Sequence, residues 1–576
     1  MRYLIINEFV PGDHLLNSTN IFLALFLFYW LVIMFLDRRG TLSKYNITAY
    51  GPILMIRTTK GQEFLDRLAV HKKFWRTFAN IGLPAMLIGM IVMFLLIVFI
   101  DYTLIRSFQA QTVPLPTKLN EPQNIFMIPG VNEFIPFYWG VIALVVTLVV
   151  HEFSHAILCK VEGIKVKSMG ILLALIPIGG FAEPDDEQLL GKRQDKTENE
   201  FEAEPKKLAT RAERIRVLTA GVMANFVTAL IAFILFFSLL GSISPIGELM
   251  VTNVVPGYPA EAAGVKPNMI LTGINEKEIN NATDFMSYSK TLEPGSIVTL
   301  HLVDGKQRKN IVIVAAKSNE TRAGVKIFNL IEGSPAESAG LKEGMIIVGM
   351  DNIEIKQIDD FIRFMNSTEQ GQKVDVHVLI NDSADASIQV FRNIELSKYP
   401  YQDVKKGFLG VSYSPGETIS YSMGIGIGQF PAGSYLDTLK KIPSLLTGIT
   451  GWLLIFGLPI FGLGGEGFPG FSGLMATFYE PTGWAAMFGI GIFWILNILL
   501  WVGWMNFYAG LFNCVPAVPL DGGHVFRDVM SSSLSRIIGD GERVEKLSNA
   551  IVVLFAVLIF LSFVFVTVAP YAAHGF

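Results

Sequence analysis

The chain has 576 residues, of which 51% are hydrophobic and only 17% charged, and its mean hydropathy is +0.45. Average soluble domains carry about 25% charge, so this composition speaks against a wholly soluble protein. The net charge of −4 leaves no electrostatic footprint for nucleic acid, and two cysteines cannot build a disulfide framework.

Crossing a bilayer takes about 20 residues of helix. Taken in chain order, apolar runs of that length lie at roughly 15–36, 81–100, 137–158 and 217–240, then within 484–512 and at 548–569. The first is too long for a cleavable signal peptide and ends at Asp37-Arg38-Arg39. Lys and Arg number nine in 37–80, eleven in 159–216 and four in 521–547, against two in 101–136. The positive-inside rule therefore predicts that the three richer segments are cytoplasmic, with the N-terminus and 241–430 outside. Five N-x-S/T triplets fall outside in this arrangement (Asn17, Asn281, Asn319, Asn366, Asn381) and Asn46 falls inside. The run 446–463 breaks at Gly464-Gly465-Glu466-Gly467 and is read as re-entrant or interfacial.

The region 241–400 is polar and rich in β-type runs, and it repeats itself at an offset of 76 residues. Pro259-Ala260-Glu261-Ala262-Ala263-Gly264-Val265-Lys266 matches Pro335-Ala336-Glu337-Ser338-Ala339-Gly340-Leu341-Lys342. The pattern resembles PDZ domains in tandem, over 244–318 and 322–398. Such domains take extended peptides or chain ends by adding a strand to a sheet edge; a rigid steric plug is the alternative. The nearest matches to a carboxylate-binding G-L-G-F loop are Gly324-Val325 and Gly407-Phe408-Leu409-Gly410.

The sharpest chemical signal is His151-Glu152-Phe153-Ser154-His155, at the end of an apolar run. Positions i and i+4 share a helix face, so both imidazoles can meet one metal ion, with Glu152 close enough to take a proton from water. An ionisable cluster inside a spanning helix is costly and marks function by default. A catalytic zinc needs a third protein ligand. Cys159 stands about 12 Å along the helix from His151, too far to share the ion, and is read as packing. Asp521, in Asn513-Cys514-Val515-Pro516-Ala517-Val518-Pro519-Leu520-Asp521-Gly522-Gly523-His524, is the preferred third ligand, with His524 as its rival.

H-E-x-x-H in one membrane helix and N-x-x-P-x-x-x-L-D-G in a later one, with PDZ-like domains between, resembles the site-2 protease family of intramembrane zinc metalloproteases. Met169-Gly170 through Gly179-Gly180-Phe181 is similar to that family's membrane β-hairpin, and Ala220-Gly221-Val222-Met223-Ala224-Asn225 to its A-G-P-x-x-N helix start. The resemblance implies zinc held by His151, His155 and Asp521, with Glu152 as general base. Asn513 would bind substrate backbone or the oxyanion, or else satisfy carbonyls freed by Pro516. Asn225 would bind substrate or lock helices, and Gly179 and Gly180 would lie on an edge strand that holds an unwound substrate.

The fold class expected is a polytopic α-helical membrane protein, with about six transmembrane helices, a re-entrant segment and an inserted pair of small α+β domains. The chain divides into an N-terminal two-helix segment (1–110), a first membrane half (137–243), the repeats (244–318 and 322–398), a linker (399–483) and a second membrane half (484–576). The activity implied is cleavage inside transmembrane segments of other membrane proteins after a first cut, in the plasma membrane of a prokaryote. Rival readings are a scaffold with structural zinc, an ion or substrate carrier, and a zinc protease acting on soluble peptides.

Overall fold

The computed structural model describes residues 18–58, 62–124, 127–174, 176–190, 207–255, 257–305, 307–316, 321–322, 324–331, 333–356, 358–380, 388–398, 406–415, 418–420, 422–462 and 467–574. Asn17, Asn319, Asn381 and Gly464-Gly465-Glu466 lie outside them. Two compact units emerge. One holds residues 1–238, 452–470 and 495–576; the other holds 239–451 and 471–494.

The first unit opens with helix α1 (Ser18–Arg38), followed by strands β1 (Ile47–Tyr50) and β2 (Ile53–Thr58). The sequence predicts for 37–80 only a basic cytoplasmic segment, and the structure adds these two strands to it. The signal was present: two runs rich in β-branched and aromatic residues, separated by Gly51-Pro52, with Gly51 at φ 64°. Helices α2 (Gln62–Ala69) and α3 (Lys72–Gln109) follow, then α4 (Phe137–Glu162). Gly163 ends α4 in the left-handed conformation, its N–H returned to the Cys159 and Lys160 carbonyls.

Strands β3 (Val166–Ala174) and β4 (Ile176–Pro184) form the expected hairpin. It is one half of a four-stranded sheet, ordered β1-β2-β3-β4, with β4 at the edge. Gly170 of β3 permits the pairing with β2, since a Cβ there would collide with the Ile56 carbonyl and sit 2.6 Å from the Phe181 ring. Helix α5 (Arg211–Leu239) completes this half.

In the second unit, the first repeat contributes β5 (Leu249–Val254), β6 (Ile270–Ile274), helix α6 (Ala282–Ser289), β7 (Ile297–Asp304) and β8 (Gln307–Val314). A short strand, β9 (Thr321–Arg322), precedes the second repeat. That repeat contributes β10 (Val325–Leu330), β11 (Ile346–Met350), helix α7 (Ile358–Asn366), β12 (Lys373–Leu379) and β13 (Ile388–Glu395). Three further strands come after both: β14 (Val411–Pro415), β15 (Thr418–Ser420) and β16 (Ile425–Gln429).

The sheet orders are β13-β12-β11-β10-β14 for the second repeat and β8-β7-β6-β5-β16-β15-β9 for the first, where Lys277–Glu278 also pairs with β6. Boundaries at 318 and 398 therefore cut through both sheets, because each is completed by strands beyond 406. The second repeat is nested inside the first. Each has its own apolar core, around Phe285, Leu300 and Ile425 in one and around Ile347, Phe361 and Val376 in the other.

The chain then returns to the first unit through α8 (Ile449–Phe461), α9 (Gly491–Asn513), α10 (Asp521–Leu534) and α11 (Gly541–His574). The 13 residues of α8 span about 20 Å, short of the roughly 30 Å hydrocarbon core. It is docked on α9 by the Tyr508 hydroxyl and Trp504 indole, which both donate to the Phe456 carbonyl at 2.5 and 3.4 Å.

Five helices are long and apolar enough to cross a membrane among the described residues: α3, α4, α5 with its short extension to Ser242, α9 and α11. Expectation put the count at about six by including α1, which is not among these five. The chain is an integral membrane protein with inserted β domains.

Candidate metal centre and peptidase family

Helix α4 carries His151 and His155 one turn apart, and α10 begins at Asp521. The helix N-terminus favours a carboxylate there. The three side chains converge. His155 Nε2 lies 3.1 Å from His151 Nε2, and each lies 3.2 Å from Asp521 Oδ2. Their side chains retain only 12–15% exposure. Among the described residues, this is the one cluster of three or more His, Cys, Asp or Glu groups placed to hold a metal ion.

The spacing fits zinc. Ligand atoms about 2.0–2.1 Å from a tetrahedral ion stand roughly 3.3 Å apart, and a fourth position is left open. Cys159 is buried among Ala156, Leu158 and Val161, away from the trio, and His524 is not part of it.

Both imidazoles are held from behind. A carbonyl can only accept, so the 2.8 Å contact to Val217 O makes His155 Nδ1 the donor and leaves Nε2 free for a metal. His151 Nδ1 stands 3.1 Å from the Asn225 side-chain amide, whose Oδ1 has no hydrogen-bond partner. A half-turn of that amide brings Oδ1 to Nδ1–H, which selects the tautomer with a free Nε2. Asn225 thus lies behind a histidine, in a place the sequence reading did not consider.

Glu152 faces the sheet. Its Oε2 accepts the Ala182 N–H of β4 at 2.8 Å. Gly180 allows this approach, since a Cβ there would lie 2.8 Å from Glu152 Cγ. Gly179 is paired with Leu172 in the β3–β4 ladder. The amide Nδ2 of Asn513 donates to the Ala509 carbonyl at 3.0 Å, within its own helix.

Three glycines shape the centre. A Cβ on Gly221 would lie 2.5 Å from His155 Nε2 and 2.7 Å from His151 Cε1. Gly522 and Gly523 close the turn behind Asp521, where a Cβ would meet backbone of Cys514 and Ala517 at 2.6 and 2.5 Å. Helix α3 packs on this turn through Gly89 against Cys514, and on α5 through Gly82 against Thr219 and Met223.

The family model for peptidase family M50 matches residues 139–559, nearly three quarters of the chain. This chain belongs to that family, the site-2 proteases. A Methanocaldococcus jannaschii protein of unassigned function is 29% identical over 315 residues, 54% of this chain and 74% of its own. The regulator of sigma E protease of Haemophilus influenzae is 24% identical over 435 residues, 68% of this chain and 90% of its own. A Clostridium perfringens protein whose name places it among zinc metalloproteases is 27% identical over 224 residues, 36% of this chain and 62% of its own. The M50 member described here is a zinc metalloendopeptidase. The β1–β2 ribbon and α3 precede the matched residues.

Proposed function

We propose that this M50 peptidase hydrolyses peptide bonds within transmembrane segments, with His151, His155 and Asp521 holding zinc and Glu152 acting as general base. The convergence of the three ligand atoms, next to a carboxylate held by Ala182, carries this reading. Zinc supplies Lewis acidity, which lowers the pKa of water toward 7 and polarises a carbonyl. Glu152 accepts the proton of the attacking water and returns it to the leaving amine, so water is consumed and a carboxylate and an amine are released. The Ala182 N–H fixes one carboxylate oxygen and leaves the other for the proton.

A transmembrane helix hides its carbonyls and has to unwind before attack. The outer edge of β4, which among the described residues pairs only with β3, offers backbone groups to an extended segment. We assign Gly179 and Gly180 to that edge and Asn225 to the orientation of His151. Asn513 keeps its substrate or oxyanion role as part of the proposal. The N-terminus and the repeats are placed outside the cell and the centre toward the cytoplasmic side of a prokaryotic plasma membrane. The repeats screen out substrates whose ectodomain has not been trimmed. Their excision has to run over 247–430, because β15 and β16 belong to the first sheet.

The test is cleavage of a model transmembrane substrate in detergent, with Glu152→Gln and a zinc chelator as controls. Zinc near one per chain, with cuts inside the apolar segment that both controls abolish, is the expected result. Cleavage confined to water-exposed peptide would replace this reading with a protease of soluble substrates.

A further inference from the structure

Helices α2 and α3 lie ahead of the residues matched to the family, yet they touch each element around the metal centre. On α4, the ring of Phe153, inside His151-Glu152-Phe153-Ser154-His155, packs on that of Phe64 with centroids 5.9 Å apart. On α5, the Thr219 hydroxyl donates to the Ala79 carbonyl of α3 at 3.1 Å. Thr219 stands midway between Val217, whose carbonyl holds His155, and Gly221. On the turn that leads into α10, Gly89 meets Cys514, where a Cβ would lie 2.6 Å from Sγ and 3.2 Å from the cysteine Cβ.

The third of these contacts reaches the carboxylate ligand through a single residue. Cys514 is fully buried. Gly522, next to Asp521, lies on its backbone, where a Cβ would stand 2.6 Å from both atoms of the Cys514 carbonyl. Gly89, Cys514 and Gly522 thus form a stack with no spare room. Met86, also fully buried, fills the adjoining space with Leu218, Val222, Cys514 and Val525. Gly82, Met86, Gly89 and Met93 are all buried, and their spacing places them on one face of α3. Pro516 and Pro519 give the turn no N–H at two positions, so what packs on it matters more to its place than its own backbone bonds.

We propose that α3 positions the metal centre: Gly89, seated on Cys514, sets the turn that delivers Asp521 to the two histidines, and Met86 fills the space beside it. Both are positioning residues, which act through Cys514 and supply no ligand. The inference rests on the reading that His151, His155 and Asp521 hold zinc.

The test uses the full-length protein in detergent. Zinc affinity is read by chelator competition, and coordination geometry by the visible absorption of the cobalt-loaded protein. Gly89→Ala drives a methyl into Sγ and is expected to weaken zinc about 10- to 100-fold, the range for groups that orient ligands, and to change the cobalt bands. Cys514→Ala removes Sγ, so Gly89→Ala with Cys514→Ala is expected to recover the wild-type affinity and spectrum. Met86→Ala opens a cavity in place of a clash and is expected to weaken zinc as well; it carries the test if Gly89→Ala does not fold. Wild-type affinity and spectrum in folded Gly89→Ala or in Met86→Ala overturn the proposal, as does a double variant no better than Gly89→Ala. Asp521→Ala separates the two levels. If it binds zinc as the wild type does, the ligand assignment itself falls; if it loses zinc while folded Gly89→Ala keeps it, only the role of α3 falls.

Discussion

Asn225 and Gly221 act on the proposed metal centre without supplying a ligand. An amide that sets a histidine tautomer is worth about 10- to 100-fold in metal affinity. Asn225→Ala is therefore expected to weaken zinc by that factor in a chelator competition, and Asn225→Asp, which still accepts from Nδ1–H, to retain most of it. Gly221→Ala places a methyl 2.5 Å from His155 Nε2. Its expected result is zinc content well below one per chain, measured by elemental analysis, with helix content intact by circular dichroism. The H-E-x-x-H signal was plain in the sequence because i and i+4 are neighbours on any helix. Asn225 could be quoted as a motif, but its partner could not, since His151 is 74 residues away and on a different helix.

Ion pairs on buried carboxylates tie the elements that carry the centre. Glu162 of α4 receives Arg76 of α3 at 2.8 Å and Arg216 of α5 at 2.7 Å. Arg214 of α5 grips Asp528 of α10 through two bonds, at 2.6 and 3.0 Å. Breaking one partner of such a pair strands a buried charge at a cost of about 3–5 kcal/mol. Arg214→Ala should therefore lower the thermal midpoint and loosen α10, and with it Asp521. Arg214→Met with Asp528→Leu should recover much of the midpoint, because well-packed apolar side chains leave no stranded charge. The β1–β2 ribbon supports the hairpin in the same way, since an isolated two-stranded hairpin is marginal in water. Its polar links include Arg57 to Thr48 at 2.8 Å and Arg57 to Glu183 at 3.8 Å. Gly170→Val, which forces β2 off β3, is expected to speed amide exchange in β3 and β4; unchanged exchange would mean that the ribbon gives no support.

For the molecule as a whole, the nested repeats set how the chain can be cut. Removing 244–398 orphans β14, β15 and β16, whereas removing 247–430 takes both sheets entire. If the repeats screen substrates, the longer excision should let an untrimmed substrate be cleaved; a shorter one that fails would report misfolding rather than the screen. What the sequence determined was local: long apolar runs, two histidines and a carboxylate at helical spacing, and a repeat visible at its offset of 76. Each of these is set by composition or by neighbours within a few residues. The tertiary structure alone decided which remote groups meet. It brought Asp521 to His155 across 366 positions, put Val217 and Asn225 behind the histidines, added β1 and β2 to the hairpin, and returned the chain from 411 to 429 to close both sheets. Such meetings depend on the packing of whole helix and sheet faces. Loop-closure entropy rises only slowly with separation, so distance along the chain carries almost no information about them.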